Sequence, residues 1–177
     1  MSLDTLVLLQ KAIAFAAIAL LLIAAYSDIR TLKIPNTLVL AIAVLGIIRL
    51  ILLNDSIAAI FAIGFAALVF LIGFVLFLRG IVGAGDVKLL VATVLVIRYP
   101  DLLTFLIRMS IFGALLSVGV IVLRSYVPLL LGPRVGSFLS TIPRSVPYGV
   151  AIAAAGIITI LLQPVLFRYV VALPSFQ

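Results

Sequence analysis

The sequence contains no cysteine, histidine, glutamate or tryptophan, and only 10% of its 177 residues are charged. The usual zinc and haem ligands are therefore missing, and so are the Ser–His and Cys–His pairs of common hydrolases. No disulfide can form, so cysteine usage says nothing about the redox compartment. We expect no metal and no cofactor, and any acid–base chemistry must rest on five aspartates, on lysine and tyrosine, or on bound water.

Apolar residues are abundant instead. They make up 67% of the chain, and the mean hydropathy is +1.53, whereas soluble domains are roughly 45–50% apolar. The excess lies in long runs, which is typical of an integral membrane protein. Basic residues are spread between these runs rather than clustered, which argues against a nucleic-acid partner. The sequence predicts one membrane-embedded domain over residues 1–177, surrounded by the lipid bilayer, without room for a separate soluble domain.

Six apolar runs predict an all-α protein with about six transmembrane helices. The first run is too long for a signal-peptide core and has no basic residue before it. A Pro- and Gly-rich segment, residues 124–147, is predicted to be the one long connection. The runs cover approximately residues 6–26, 38–53, 58–78, 87–97, 102–123 and 146–167.

Lysine and arginine predict the orientation of these helices. A modest majority of the basic residues lies in the loops at 28–36, 79–88 and 124–147. Because cytoplasmic loops carry the excess of basic residues, these loops are predicted to be cytoplasmic and both termini to lie outside. Asp28 and Asp86 then share the cytoplasmic side, while Asp4, Asp55 and Asp101 lie on the other side.

The pair Asp28 and Asp86 is the main candidate for chemistry. Asp28 lies in YSDIRTLKIPN at the end of the first predicted helix, and Asp86 lies in GIVGAGDVK at the start of the fourth. Two helices between them return the chain to the same face, so the carboxylates can converge. Neighbouring carboxylates do not ionise together easily and can share a proton. One can then activate a water while the other donates a proton to the scissile carbonyl, as in aspartic proteases.

Residues next to Asp86 are candidates for contact with a peptide substrate. Gly83 and Gly85 lack a Cβ, so a second backbone can approach closely. Lys88 is the third candidate, although at two positions beyond Asp86 it is expected to point away, toward headgroups. The fourth predicted helix is short, about 18 Å from Asp86 to Arg98, so we expect Asp86 to be buried more deeply than Asp28.

Each of these residues also has a purely structural interpretation. Asp28 could be a solvated charge at a helix end, and Asp86 could be the N-cap of the fourth helix. Asn36 could cap the second helix after Pro35. The segment 147–149 could pack the entry of the sixth helix or form a wall of the active-site cavity.

Taken together, DIRTLKIPN and GAGDVK resemble the type IV prepilin peptidase family, which are intramembrane aspartic peptidases with a GxGD signature. VPYGVAIAAAG is similar to that family's Pro-Tyr/Phe-Gly segment. The resemblance implies that Asp28 and Asp86 are the catalytic aspartates. It also implies a role in pilus biogenesis, with a short basic leader removed from prepilins or pseudopilins at the cytoplasmic face of the inner (cytoplasmic) membrane.

The chain departs from the longer members of that family in one respect. Those members carry an extra domain with paired CxxC motifs and also methylate the new N-terminus, whereas this chain has no cysteine. It therefore resembles the short branch that serves Flp/Tad-type pili, and peptidase activity without methyltransferase activity is expected. Whether it acts as a monomer or as a homodimer stays open.

Two other functions remain alternatives at this point. A non-enzymatic transporter subunit or pilus-assembly component could use the aspartates to bind a cation or a proton. A presenilin-like GxGD protease would cut within transmembrane segments, but that group has a Tyr-Asp pair, and here Ser27 separates Tyr26 from Asp28.

Overall fold

A computed structural model describes residues 3–53, 55–131 and 147–163 of the chain. These residues form six α-helices and one short 3₁₀ helix, with no strand among them. The 3₁₀ helix, Tyr99–Asp101, precedes the fifth helix. The helices are α1 (Leu3–Thr31), α2 (Asn36–Leu53), α3 (Ser56–Leu78), α4 (Ala84–Val96), α5 (Leu102–Leu131) and α6 (Tyr148–Leu161).

The all-α fold agrees with the sequence prediction, but several predicted helix ends are wrong. α1 continues to Thr31, five residues past its apolar run, because helical hydrogen bonding does not stop where hydrophobicity stops. α5 continues to Leu131, so the predicted connection does not begin at residue 124. Pro128 lies within α5. It lacks a backbone N–H and so removes a single hydrogen bond, which a helix in a membrane tolerates. The rest of that connection, 132–146, lies outside the described residues.

The sixth helix is shorter than predicted. It ends at Leu161, where the Leu162 amide bonds back to the Ile158 carbonyl, whereas the apolar run extends to residue 167. Gln163 precedes a proline in the sequence, and residues before proline avoid helical geometry. Residues 164–167 lie outside the described part of the chain.

α4 and α6 form the centre of the bundle. α4 packs against α2, α3 and α6, while α6 packs against α1, α4 and α5. Apolar side chains from these helices are fully buried in one core, including Leu21, Leu89, Phe105 and Ile160. The helices approach closely, and Gly46 of α2 leaves no room for a side chain. An added Cβ there would lie 2.7 Å from the Cβ of Leu95. Small residues at helix contacts are typical of membrane bundles.

The outer helices present their apolar side chains outward. Ile60 and Leu71 of α3 and Leu103 and Leu115 of α5 are all more than half exposed. Among the described residues, three segments are long and apolar enough to cross a membrane, namely Asp4–Thr31, Ser56–Leu78 and Tyr99–Leu123. Asn36–Leu52 and Tyr148–Leu161 are shorter apolar helices. The fold is therefore compatible with a membrane protein, while the number of spans and the side of the termini stay predictions.

Candidate active site

One cavity, of about 630 Å³, is lined by charged and apolar residues, and its lining includes all five of the residues that the sequence singled out. It lies between the end of α1, the start of α2, the loop before α4 and the start of α6. Asp28 and Asp86 both line it and interact electrostatically with each other. The two helices between them do return the chain to one end of the bundle, as predicted. The other predicted residues in its lining are Gly83, Gly85 and Lys88.

The last turn of α1 holds Asp28 in place. The Leu32 amide donates to the Asp28 carbonyl at 2.9 Å, and Leu32 itself has φ +51°. A left-handed conformation is uncommon for leucine and costs on the order of 1 kcal/mol. The Ser27 hydroxyl donates to the Lys33 carbonyl at 2.8 Å, which folds the following loop back onto the helix. The sequence DIRTLKIPN therefore encodes a tight reversal directly after Asp28.

The carboxyl group of Asp28 faces the N-terminus of α6. The backbone amides of Gly149 and Val150 lie near it, and this end of a helix favours negative charge. Asp28 is only 4% exposed, and its Oδ2 has no hydrogen-bond partner among the described residues. A buried carboxylate oxygen without a partner is unfavourable. This oxygen is itself closed off from solvent by its neighbours, so its missing partner is a cost of holding the carboxyl group against the start of α6.

Gly149 is the residue that lets α6 approach so closely. An added Cβ at this position would lie 2.7 Å from Asp28 Oδ2 and 3.0 Å from the Cδ1 of Ile34. Real Cβ atoms essentially never come within 3.0 Å of such neighbours. Tyr148, the preceding residue, lines the cavity. Tyr148 is thus part of a wall of the cavity, whereas Gly149 packs the start of α6 against Asp28, so each of the two interpretations that the sequence left open applies to one residue.

Asp86 lies in the first turn of α4, as predicted, but it is not the N-cap. The N-cap is Gly83, which makes no side-chain capping bond, and Asp86 is the third helical residue. Its carboxyl group lies against Gly83, where an added Cβ would be 3.0 Å from Oδ2. Gly80 has φ +69°, which glycine adopts readily, and it turns the chain before this loop. The glycine-rich loop therefore shapes the backbone around Asp86.

The remaining two candidates connect α4 to the neighbouring segments. Gly85 faces Ile34, with an added Cβ at an ordinary contact distance of 3.6 Å. Lys88 is exposed at the start of α4, and its expected orientation toward headgroups stays a prediction. Its Nζ donates to Asn36 Oδ1 at 3.2 Å across the rim of the cavity. The side-chain oxygen of Asn36 thus accepts a hydrogen bond from Lys88 of α4. The sequence suggested instead that Asn36 caps α2.

The two aspartates differ in surface exposure, while their relative depth in the membrane stays a prediction. Asp28 is buried and Asp86 is half-buried, because the start of α6 covers Asp28 while the loop before α4 leaves Asp86 facing the cavity. The lengths of the helices, read from the sequence, do not indicate that α6 covers Asp28. Asp55, in contrast, lies away from the cavity, where its carboxylate caps α3 by accepting from the Ala58 amide at 3.1 Å.

A second, mostly apolar cavity of about 440 Å³ adjoins the first. Asp86, Ile81 and Tyr148 line both, and α5 supplies part of the second wall through Met109 and Gly113. Asp86 therefore lies where a polar compartment and an apolar compartment meet. The sequence contained no signal for the apolar compartment, because its walls come from helices that are distant along the chain.

The fold and the site define a helical, membrane-type protein in which two aspartates share a cavity at one end of the bundle. The profile of the type IV leader peptidase family matches residues 15–118, which is more than half of the chain and includes both Asp28 and Asp86. The chain belongs to this family, and the resemblance noted from the sequence is confirmed. Neither the comparison with curated proteins nor the comparison with solved structures gave a match.

Proposed function

We propose that the chain is a membrane aspartic endopeptidase that removes the leader peptide from type IV-like prepilins, with Asp28 and Asp86 as its catalytic pair. Membership of the leader peptidase family supports a peptidase acting on a protein substrate. The observation that carries the catalytic assignment is the convergence of two aspartates, distant in sequence, on one cavity. The sequence offers no histidine, cysteine or glutamate for an alternative acid–base pair.

The proposed reaction needs only these two side chains and a water. The ionised carboxylate takes a proton from the water, which attacks the scissile carbonyl, while the protonated carboxyl donates to the carbonyl oxygen. The tetrahedral intermediate then collapses: the carboxyl group that took the proton from water gives it to the leaving amine, and the other carboxylate takes a hydroxyl proton from the intermediate, which restores the starting protonation of the pair. Because both groups titrate together, the roles of base and acid belong to the pair rather than to one residue alone.

The two adjoining cavities support a substrate with a polar stretch next to an apolar one. An extended peptide bound along them would cross Asp86 at the boundary, so cleavage would fall where the polar leader gives way to apolar sequence. Gly83, Gly85 and Lys88 line the polar compartment and are the proposed substrate contacts. The alternative of a transporter or a pilus-assembly component is not favoured by the family match.

The proposed location is the inner membrane, with the cavity open to the cytoplasm, as the basic loops predict. Because the sequence has no cysteine, the orientation can be tested with single-cysteine variants. Lys33→Cys and Arg79→Cys report on the proposed cytoplasmic side, and Asp55→Cys reports on the opposite side. A thiol reagent that does not cross membranes should label Asp55→Cys in intact cells and label the other two only after lysis. Labelling of Lys33→Cys in intact cells would contradict the proposed orientation.

Co-expression with a prepilin tests the activity itself. The chain should shorten the prepilin by its leader, and the sequence of the new N-terminus identifies the cleaved bond. We further propose that the new terminus carries no methyl group and that the chain serves the Flp/Tad-type branch. A mass 14 Da higher than expected at that terminus, in a host without another methyltransferase, would contradict the first of these proposals. An unprocessed prepilin would contradict the peptidase function.

A further inference from the structure

A third cavity, of about 330 Å³, lies at the end of the bundle opposite to the two aspartates. Its polar lining includes Gln10, Arg49, Arg98 and Gln163, from the start of α1 and from the ends of α2, α4 and α6. Gln10 precedes Asp28 by 18 residues along α1, or about 27 Å. This is close to the roughly 30 Å thickness of the hydrocarbon layer. If the catalytic cavity lies at one membrane surface, this one lies near the other, at headgroup depth.

Arg49 is the unusual residue of this cavity. It is only 8% exposed, and it lines the cavity together with Arg98. Arg98 adds a second positive charge that repels Arg49, and Asp101 partly compensates it. A buried charge is costly unless it is paired and hydrogen-bonded. An anion in the cavity would supply both.

The other polar groups of the cavity also favour an acceptor. The Nε2 of Gln163 is buried and has no hydrogen-bond partner among the described residues. Asp55 lines the cavity too, but its carboxylate already accepts from the Ala58 amide. The cavity thus has side-chain donors from four elements, on Gln10, Arg49, Arg98 and Gln163, and two of them are arginines against one lining carboxylate, Asp55. A negatively charged ligand rich in acceptor oxygens would pair with these donors.

We propose that this cavity binds a phosphate or phosphodiester anion through Arg49 and Arg98, with the Gln163 amide as a further donor. Guanidinium groups bind phosphate oxygens in a bidentate manner, and two of them match the charge of such a ligand. The anion can come from the headgroup of a phospholipid in the adjacent leaflet or from free phosphate. This proposal is independent of the peptidase function, because it involves none of the residues of the catalytic cavity.

Native mass spectrometry of the full chain in detergent tests the proposal. One arm titrates phosphatidylglycerol, and a second titrates diacylglycerol with the same acyl chains, which lacks the phosphate. The chain should retain one phosphatidylglycerol in preference to diacylglycerol. A third arm measures binding of inorganic phosphate by calorimetry, and binding there without lipid retention would identify free phosphate as the source of the same anion.

Variants decide whether the named residues hold the anion. Arg49→Gln and Arg98→Gln should each weaken binding about tenfold or more, because each loses a charge-assisted pair. Arg79→Gln removes an exposed arginine at the other end of the bundle and should leave binding unchanged. Arg98 is only half-buried, so its variant keeps the test valid if Arg49→Gln fails to fold. The proposal is overturned by equal retention of both lipids without phosphate binding, or by equal binding in Arg98→Gln and Arg79→Gln.

Discussion

The backbone of Gly149 lies directly against the carboxyl group of Asp28, and there is no space between them for even one methyl group. An added Cβ would lie 2.7 Å from Oδ2 and 2.9 Å from Cγ of Asp28. This contact joins α6 to the end of α1 and fixes where the buried carboxylate points. It also brings the amides at the start of α6 close to that carboxylate. Gly149 therefore has a positioning role in the proposed site.

Gly149→Ala should lower leader cleavage by about tenfold or more, since a displaced Asp28 loses transition-state stabilisation. The loss should appear in kcat rather than in KM, because the proposed substrate contacts belong to α4 and the loop before it and not to α6. The measurement is the steady-state rate of cleavage of a purified prepilin in detergent or in liposomes.

Gly64→Ala is the matched control for this variant. Gly64 is also helical, but an added Cβ there meets no atom within 4 Å. Its activity should equal that of the unmodified chain, and its stability should be equal or slightly higher, because alanine favours helix over glycine. If both alanine variants retain full activity, Gly149 has no positioning role.

Asp28→Asn and Asp86→Asn should each reduce cleavage by a factor on the order of 10³, because asparagine keeps the shape but cannot exchange the proton. Asp55→Asn and Asp101→Asn should remain active. Asparagine at position 55 can still accept from the Ala58 amide, so the cap on α3 should survive. Normal cleavage by either Asp28→Asn or Asp86→Asn would remove that residue from the mechanism.

Much of this arrangement could be predicted from the sequence, because hydrophobicity and motif order determine it. Long apolar runs predicted the six helices, and an even number of helices between Asp28 and Asp86 predicted their common end. The exact helix ends could not be predicted, because α1 continues through polar residues to Thr31. Apolar runs mark the part of a helix that prefers lipid, whereas backbone hydrogen bonds determine its length.

The contact between Gly149 and Asp28 could not be predicted in the same way. It joins the two most distant helices of the described chain, and no periodicity in either helix indicates which residue of α6 faces Asp28. The bond from Lys88 to Asn36 is similar, because it depends on how α2 and α4 pack side by side. In both cases the sequence identified the relevant segment but not the partner.

The rate of cleavage should depend on pH as a bell-shaped curve. Below the lower apparent pKa both carboxyl groups are protonated and no base is left, while above the higher one both are ionised and no acid is left. The rate therefore rises and then falls as pH increases through the two values of the pair. A kcat profile from pH 4 to pH 9, with stability checked at each pH, measures this. A single-sided profile would show that the two groups do not act together.

Chelators should leave the rate unchanged, because the proposed mechanism uses two carboxyl groups and a water without a metal ion. The test is cleavage of the purified prepilin before and after dialysis against EDTA at the pH of maximal activity. Loss of activity that added zinc restores would contradict the proposed mechanism, even if the Asp28 and Asp86 variants were inactive.

Lys88 has two possible roles, a structural one through its bond to Asn36 and a substrate contact through its place in the cavity lining. The two roles lead to different expectations for KM. The 3.2 Å bond is exposed, so its loss alone should change the rate only about two- to fivefold. If Lys88 also contacts the substrate, Lys88→Gln should raise KM well beyond the effect of Asn36→Ala, which removes the same bond from the other partner. We expect this difference in KM, measured with one prepilin under identical conditions. Equal effects of the two variants would limit Lys88 to joining α4 to α2, and the substrate contacts would then reduce to Gly83 and Gly85.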